Sequence, residues 1–401
     1  MAGIVIVGGG HAAGQACASL RQEGYKGDIV VIGDEPYLPY QRPPLSKQYL
    51  SGEHGIEKVQ LRPAKFYADQ NVTVRLGERA ESIDTAAHTV TTSGGVTIAY
   101  EKLLIATGGR PRRLSIPGSN LAGIHYLRGI DDVDGIRGDM APGKRLVIVG
   151  GGYVGLEVAA VAHTAGLEVH VLEMEQRILQ RVTTPTMSAY YHKLHESRGV
   201  HIHTNTGVTG FRGTSRVEAV LCGDQEFAAD LVIVGIGIIP NIEVAEAAGI
   251  ECSNGIVVDE SCRTSAADVY AAGDCTNHPT PLLGRRLRLE SVPNAMEQAR
   301  VAAANMCDGS KTYASIPWFW SDQYELKLQM VGFSADGDTQ VLRGDMDSNQ
   351  FAMFYLKDGA VVAVDAVNSP KEFMICKQLI GKQVDSSKLG DPNVDLKTLT
   401  T

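Results

Sequence analysis

Two stretches of the chain carry the same hydrophobic pattern. A short run of β-branched apolar residues breaks into a glycine turn at Ile4–Gly10 (IVIVGGG) and again at Leu146–Gly152 (LVIVGGG), and the first glycines of the two turns stand 142 residues apart. Small residues follow each turn and lead into a second apolar run, which predicts helices at Ala12–Arg21 and Val154–Ala165 and strands at Asp28–Ile32 and Glu168–Leu172. Strand, glycine turn, helix and strand form a βαβ unit, so the pattern predicts two dinucleotide-binding folds in one chain.

The pattern of a parallel sheet continues as far as Pro317 and then changes. Three more apolar strands run into glycine, as expected where the backbone approaches a ligand at the carboxyl edge of a parallel sheet: Lys102–Ala106, Asp230–Val234 and Asp268–Ala272. After Pro317 the alternation of polar and apolar residues predicts an antiparallel sheet. The remaining predicted elements are a helix over Glu290–Ala303, strands at Gln350–Leu356 and Ala360–Val367 around a turn at Lys357–Gly359, and a helix near Lys371–Ile380. We expect the polar last residues, about fifteen of them, to be loosely held.

Composition and charge narrow the classes of function. With 37 Lys and Arg against 46 Asp and Glu, the net charge is −9, which argues against a nucleic-acid-binding protein. The longest apolar run, Leu231–Ile239, is too short for a membrane span, which needs about 20 residues. The first residues are not typical of a secretory signal, and seven scattered cysteines without a CxxC pair or a zinc spacing fit a reducing compartment. We therefore expect a cytoplasmic protein that spans no membrane and holds no metal.

The glycines of both turns have a predicted role in binding phosphate. The first glycine of each turn, Gly8 or Gly150, permits the tight turn, and the third, Gly10 or Gly152, lets the backbone approach a pyrophosphate. The helix that follows would present free N–H groups and its positive dipole end to the phosphates. An acid after each second strand is expected to hold ribose hydroxyls, namely Asp34 and Glu173.

Several short motifs resemble one family. They are YQRPPLSKQYL at 40–50, ATGG at 106–109, YLR at 126–128, GGGYVGLEVA at 150–159, AAGDC at 271–275, ESVPNAMEQAR at 290–300 and PWFWSDQY at 317–324. Together they are similar to the flavoprotein reductases with two dinucleotide folds, and among these to the ferredoxin reductases that serve haem monooxygenases and aromatic-ring dioxygenases. The resemblance implies an α/β protein of glutathione-reductase-like architecture, with two Rossmann-like dinucleotide-binding domains and a C-terminal α+β interface domain. The implied boundaries are 1–112 with 240–313 for FAD, 113–239 for NADH and 314–401 for the interface domain.

The resemblance assigns one set of residues to FAD. Lys47 is expected beside flavin N5, where its charge would stabilise the reduced ring, and Arg42 at the pyrophosphate. The residues alone leave open a solvated surface lysine and an exposed arginine. Trp318 and Trp320 are expected at the flavin edge, and a packed aromatic corner is the alternative. The FAD set is Gly8, Gly10, Ala12, Asp34, Arg42, Lys47, Ala80, Ala106, Thr107, Arg128, Asp274, Val292 and Trp320.

A second set is assigned to NADH. Glu157 is expected to contact the nicotinamide and Tyr153 to cover the flavin face until nicotinamide displaces it; with Lys47 these are the expected catalytic residues. From the residues alone, Glu157 could equally be an exposed acid of its helix. The carboxylate of Glu173 would repel a 2′-phosphate and so favours NADH over NADPH, although two arginines, among them Arg177, follow it. The NADH set is Gly150, Gly152, Tyr153, Val154, Glu157, Glu173, Arg181 and Gly237.

The cysteines bear on where the electrons go. Relatives of the glutathione-reductase type carry a redox pair in the first helix, where this chain has only Cys17, and the PPLSK segment has no cysteine. Electrons would therefore leave the protein directly, and the resemblance implies hydride transfer from NADH to FAD and single-electron transfer to an acidic 2Fe–2S ferredoxin. A chain of net charge −9 would need a local basic patch to attract such a partner. The first candidate patch is Arg285, Arg286 and Arg288, and the second is Arg110, Arg112 and Arg113, although basic runs are usually solvated faces. We expect a monomer.

Other functions remain open on the same motifs. The same fold serves reductases of rubredoxin, quinone or monodehydroascorbate, because the fold does not choose the electron acceptor. A flavoprotein of the apoptosis-inducing-factor type would use NADH binding to switch an interaction surface. An NAD dehydrogenase without flavin is the third alternative.

Overall fold

The computed structural model describes residues 3–400, which divide into two compact units. The first comprises the chain up to Arg42 together with Gly55–Arg110 and Ile238–Pro317. The second comprises Pro43–His54, Pro111–Gly237 and the chain from Trp318 onward. The expected division into three domains stays a prediction.

The first unit is built on a seven-stranded sheet whose core is parallel. Its strands, in spatial order, are Val72–Leu76, Ile29–Gly33, Gly3–Val7, Thr97–Ile105, Thr89–Thr92 and Ala80–Asp84, with Val269–Ala271 also paired to Thr97–Ile105. The central strand Gly3–Val7 is buried along its whole length, as its unbroken apolar run requires in a sheet covered on both faces. The first predicted βαβ unit is thereby confirmed.

Helices and short strands complete the first unit. The helix His11–Gln22 packs on Val292–Met306 through alanines of both helices, and small side chains allow this close approach. Ser291 caps the second helix, since its Oγ accepts a hydrogen bond from Asn294 N at 3.2 Å. The other helices are Ile56–Val59, Ala64–Asp69, Glu243–Ala247 and the 3₁₀ turn Pro281–Leu283, and the other strands are Gly109–Pro111, Ile238–Pro240, Ile256–Val257, Thr276–Thr280 and Arg285–Leu287.

The second unit contains the second βαβ repeat, which is also confirmed. Its parallel sheet has the spatial order His201–His203, Glu168–Leu172, Arg145–Val149, Leu231–Val234 and Ile124–Tyr126. An antiparallel sheet of Gly210–Gly213, Val217–Cys222 and Gln225–Ala228 accompanies it. The helices of this part are Ile130–Asp139, Tyr153–Thr164, Pro185–Ser197 and the 3₁₀ turn Pro43–Ser46.

The alternating pattern after Pro317 forms the predicted antiparallel sheet. Its spatial order is Trp318–Gln323, Leu326–Gly332, Ala360–Val367, Gln350–Lys357 and Thr339–Asp345. Asp358 and Gly359 both have positive φ, 49° and 82°, as a tight hairpin turn between twisted strands requires. The helices here are Pro370–Leu379 and Ser386–Gly390, with 3₁₀ turns at Ser334–Asp336 and Leu396–Leu399.

The expectation of a loosely held C-terminal tail is wrong. Leu389 and Leu396 are buried, at 0% and 2% exposure. Arg343, itself buried in the sheet, donates hydrogen bonds to four backbone carbonyls of the tail, those of Leu389, Asp391, Pro392 and Val394. Two leucines and one arginine therefore hold a segment whose composition is otherwise polar. Among residues 3–400, no helix is both long enough and apolar enough to cross a membrane.

Candidate functional site

The first glycine turn forms an open cradle at a helix N-terminus. Gly8 has φ +122°, and a Cβ there would lie 2.1 Å from the carbonyl oxygen of Ala106, so glycine is required. A Cβ on Gly10 would meet nothing within 4 Å. The helix His11–Gln22 begins at Gly10 without a side-chain cap, which leaves its first N–H groups for an anion. This cradle fits a pyrophosphate.

Other residues predicted for FAD gather around this cradle within the first unit. A Cβ on Gly273 would lie 3.5 Å from the Cβ atoms of both Ala12 and Ala295, and Gly273 N donates to Gln298 Oε1 at 2.7 Å. Asp274 follows Gly273 in sequence. The structure therefore brings together the turn, Ala106, Thr107, Asp274 and the helix that starts at Val292.

The remaining predicted FAD residues of this unit are Asp34, Ala80 and Arg42. A Cβ on Gly33 would lie 3.5 Å from Gly9 Cα, which puts the exposed Asp34 next to the turn. Ala80 is buried at the start of its strand. Arg42 is part-buried rather than simply exposed, and its guanidinium bonds Glu35 Oε1 at 2.5 Å.

The second glycine turn repeats the cradle. Gly150 has φ +108°, and a Cβ there would lie 2.4 Å from the carbonyl oxygen of Gly235. A Cβ on Gly152 would meet nothing within 4 Å, and the helix Tyr153–Thr164 starts there without a side-chain cap. A Cβ on Gly155 would lie 2.3 Å from Gly150 O, so this glycine lets the helix sit on the turn. The second cradle also fits a pyrophosphate.

Charged and apolar groups frame the second turn. Glu173 accepts hydrogen bonds from Gly151 N at 2.7 Å and Glu175 N at 2.9 Å, so its carboxylate is held against the turn. Arg177 donates to the carbonyl oxygen of Thr183 and to Ser188 Oγ, which makes it part of the loop structure. Exposed residues of the same segments are Val154, Met174, Arg181 and Val182, and Gly237 has open space around its Cα.

A buried ion pair lies in the second unit. Lys47 Nζ is 2.7 Å from Glu157 Oε2, with side-chain exposures of 10% and 5%. Lys47 is therefore not a solvated surface lysine, and Glu157 is not an exposed acid of its helix. Ser46 Oγ donates to Glu157 Oε2 at 2.5 Å and Ser321 Oγ to Glu157 Oε1 at 2.7 Å. Three donors thus compensate the cost of burying the carboxylate.

Sequence reasoning missed Ser46 and Ser321. Ser46 stands beside Lys47 in the PPLSK motif, but its partner is 111 positions away. Ser321 and Gln323 are buried while Trp320 and Asp322 are half-buried. The period-two alternation of the strand Trp318–Gln323 was the available signal, because it predicts that residues 321 and 323 share one face.

The predicted aromatic residues are packed within the second unit. Tyr153 Oη donates to Met330 Sδ at 2.9 Å, and burial raises the pKa of this phenol well above its usual range. Trp318 and Trp320 have ring centroids 5.6 Å apart, and Trp318 also meets Phe373. The aromatic corner is therefore present, and the flavin contact of Trp320 stays a prediction. Arg128, also in this unit, donates its backbone N–H to Asp132 Oδ2 at 3.0 Å.

The cysteines form no redox pair. All seven lie within the described residues and are free, five of them buried. Burial raises the pKa of the Cys17 thiol to about 12 and that of Cys252 to about 11, so both are protonated at neutral pH. Residues 3–400 contain no group of three or more His, Cys, Asp or Glu side chains that could hold a metal ion.

The first basic patch is partly used by the structure itself. Arg286 donates to the carbonyl oxygens of Val258 at 2.6 Å and Asn277 at 2.5 Å. Arg288 pairs with Glu290 and its side chain is 15% exposed. Arg285 is exposed near the tip of its hairpin. In the second patch, Arg110 pairs with Glu243, and Arg113 lies over the ring of Tyr126 at 4.7 Å.

Two dinucleotide-binding folds, each with an open phosphate cradle, define a protein that uses two nucleotide cofactors. The buried Lys47–Glu157 pair adds a charged group at the start of the second fold's first helix. The chain belongs to the pyridine nucleotide-disulphide oxidoreductase family, which matches residues 2–299. Residues 318–400 match the reductase C-terminal family.

Known proteins are similar to this chain over nearly its whole length. It is 43% identical over 405 residues to putidaredoxin reductase of Pseudomonas putida, covering 99% of this chain and 96% of that protein. It is 42% identical over 398 residues to the ferredoxin–NAD(+) reductase component of the anthranilate 1,2-dioxygenase system of Burkholderia cepacia, covering 98% of each. The crystal structure of the covalent putidaredoxin reductase–putidaredoxin complex matches with a TM-score of 0.96 at 43% identity, covering 99% of this chain and 98% of that one. The chain is thus an oxidoreductase with FAD and NAD(H) as cofactors, which confirms the resemblance, the α/β fold class and the cofactors.

Proposed function

We propose that the protein transfers hydride from NADH to FAD and delivers electrons one at a time to a 2Fe–2S ferredoxin that feeds a haem monooxygenase or a ring-hydroxylating oxygenase. The observation that carries the proposal is the near-full-length similarity to ferredoxin reductases and to putidaredoxin reductase, which has been crystallised in a covalent complex with putidaredoxin. The free cysteines support it, because they offer no internal thiol pair as acceptor. When bound, FAD supplies the chemistry that converts a hydride into two single electrons.

The first unit is proposed to hold FAD at its glycine turn. Gly8, Gly10 and the helix after them would bind the pyrophosphate, assisted by Arg42. Asp34 would bind ribose hydroxyls. The other proposed contacts are Ala12, Lys47, Ala80, Ala106, Thr107, Arg128, Asp274, Val292 and Trp320.

The ion pair is proposed to act on the flavin. The Lys47 ammonium has three N–H groups, and within residues 3–400 Glu157 and the carbonyl of Pro43 accept from it, at 2.7 and 3.3 Å. A third N–H directed at the flavin would stabilise negative charge on the reduced ring. Glu157 would hold the ammonium in place, and Tyr153 would cover the flavin face until nicotinamide displaces it.

The second turn is proposed to bind NADH rather than NADPH. Glu173 is fixed by two backbone N–H groups, so its charge would remain beside the ribose and repel a 2′-phosphate. Arg177 donates to the carbonyl oxygen of Thr183 and to Ser188 Oγ, and these two bonds hold its guanidinium in place. Gly150, Gly152, Val154, Arg181 and Gly237 complete the proposed site.

We further propose that Arg285 and its neighbours dock the acidic ferredoxin. We also propose that the enzyme is a cytoplasmic monomer, and light scattering of the holoenzyme would test its oligomeric state.

The test of the function itself is NADH-dependent reduction of cytochrome c with and without an added 2Fe–2S ferredoxin. We expect the ferredoxin to raise the rate by about tenfold or more. Equal rates with and without it, or faster turnover with rubredoxin or a quinone, would contradict the ferredoxin assignment. Purified protein without flavin absorbance would contradict the FAD chemistry.

A further inference from the structure

A line of buried hydrogen bonds leads away from Glu157 within the second unit. Ser321 Oγ is 2.7 Å from Glu157 Oε1, and Gln323 Nε2 is 3.1 Å from Ser321 Oγ. His195 Nε2 is 2.8 Å from Gln323 Oε1, and Tyr324 Oη is 3.4 Å from His195 Nδ1. Glu157, Ser321, Gln323 and His195 are all 4% exposed or less. We call these five side chains the Glu157 chain.

The ion pair sets the direction of every bond in the Glu157 chain. The Glu157 carboxylate pairs with the Lys47 ammonium, so its oxygens only accept. The single proton of Ser321 therefore points at Glu157, and Ser321 Oγ must accept from the amide NH₂ of Gln323. The amide oxygen of Gln323 then faces His195, which must donate from Nε2. All donors thus point toward Glu157.

The far end of the chain is neutral. Burial lowers the pKa of His195 to about 4, so at neutral pH the ring carries one proton, which the bond to Gln323 places on Nε2. Its Nδ1 is left to accept from the Tyr324 hydroxyl. The Gln323 amide does not release a proton readily, so the Glu157 chain does not conduct protons. It stabilises the fixed charge of the Glu157 carboxylate through polarised hydrogen bonds.

We propose that His195, Gln323 and Ser321 are positioning residues for the Lys47–Glu157 pair. Aligned donors fix one carboxylate rotamer and share its charge, which leaves the Lys47 ammonium free to act on the flavin. When a donor is lost, Glu157 draws the ammonium more fully to itself, and the reduced ring is less stabilised. This inference rests on the proposed role of Lys47, but not on the identity of the electron acceptor.

The test compares three variants of one helix. His195→Leu removes the donor, and His195→Gln restores an N–H the same number of bonds from the backbone. His192→Leu is the matched control, because His192 pairs with Glu196 at the surface of the same helix. The readouts are the stopped-flow rate of flavin reduction by NADH, the KM for NADH, the flavin midpoint potential and the melting temperature.

We expect His195→Leu to slow flavin reduction about tenfold, which corresponds to about 1.4 kcal/mol, and to make the potential more negative with KM changed less than about twofold. His195→Gln should recover most of the rate and potential, and His192→Leu should change neither. In the native holoenzyme, ¹⁵N spectra of the imidazoles should show His195 protonated at Nε2 at pH 7. A native rate and potential in a folded His195→Leu protein, or a proton on Nδ1, would overturn the proposal.

A second variant, Ser321→Ala, keeps the proposal testable if the His195→Leu protein does not fold. Ser321→Ala removes only one hydroxyl, and we expect the same slowing and the same direction of potential shift. A folded Ser321→Ala protein with native rate and potential would equally overturn the proposal. Failure of the proposed function is distinguishable from failure of this inference. If the native protein does not reduce ferredoxin, the variants can still be compared with it for flavin reduction by NADH and for the flavin potential.

Discussion

One buried carboxylate of the C-terminal sheet, that of Asp365, has a raised pKa. Asp365 is 4% exposed, and its Oδ2 accepts from Tyr355 Oη at 2.7 Å and Thr183 Oγ at 3.0 Å. Burial raises the pKa of Asp365 from 3.8 to about 6, and the two hydroxyls reduce the rise. A folded-state pKa above the unfolded value means that this group's stabilisation is complete below pH 3.8 and is lost as the pH rises through 6.

Asp365→Asn should abolish this pH dependence. The amide oxygen can accept both hydroxyl hydrogen bonds, but it never becomes charged. We expect the free energy of unfolding of the variant, relative to the native protein, to rise by about 2 kcal/mol from pH 4 to pH 7, measured by chemical denaturation at each pH. Asp345→Asn, an exposed acid of the same sheet, is the control and should show little change. A difference that does not vary with pH would count against the shifted pKa.

At the scale of the elements, the glycine turns contain one glycine that the fold requires and another that only a bound ligand would require. Only Gly151 separates the first and third glycines of the second turn, but a Cβ on Gly150 would lie 2.4 Å from a carbonyl oxygen, whereas a Cβ on Gly152 would meet open space. The first position is therefore required by the fold. The third is required only if a ligand approaches the turn.

Gly150→Ala and Gly152→Ala should accordingly fail in different ways. We expect Gly150→Ala to lose about 2 kcal/mol or more of unfolding free energy, because of the clash and the positive φ. Gly152→Ala should keep the native melting temperature and raise the KM for NADH about tenfold, measured by ferricyanide reduction. Native NADH kinetics in Gly152→Ala would show that the second turn does not bind the dinucleotide.

At the scale of the whole molecule, net charge bears on the proposed binding of an acidic ferredoxin. The net charge of −9 repels an acidic ferredoxin at long range, so docking depends on local basic groups. In the first proposed patch, Arg286 donates to two carbonyl oxygens and Arg288 pairs with Glu290, whereas Arg285 is the residue with an exposed side chain in its hairpin that we choose for the test. Reversing Arg286 would mix a docking effect with a loss of stability.

Arg285→Glu alone should therefore test docking. We expect kcat/KM for ferredoxin to fall about fivefold at low salt and less at high salt, with ferricyanide reduction by NADH unchanged. Lys26→Glu is the control of equal charge change, because this exposed lysine precedes the strand Ile29–Gly33 at the edge opposite the glycine turn. Equal loss of both activities, or equal effects of the two variants, would rule out docking at Arg285.

The sequence by itself determined the two βαβ repeats, the glycine cradles, the late antiparallel hairpin and the family. These depend on local spacing, because the geometry of a turn or a strand is set by neighbouring residues. Only the tertiary structure decided that Lys47 and Glu157 are buried together and that Ser46, Ser321 and His195 support them. It also decided that Arg286 and Arg288 are bonded within the fold and that Arg343 holds the tail. Such contacts join residues more than a hundred positions apart, or depend on burial, and neither is encoded in the spacing of a motif.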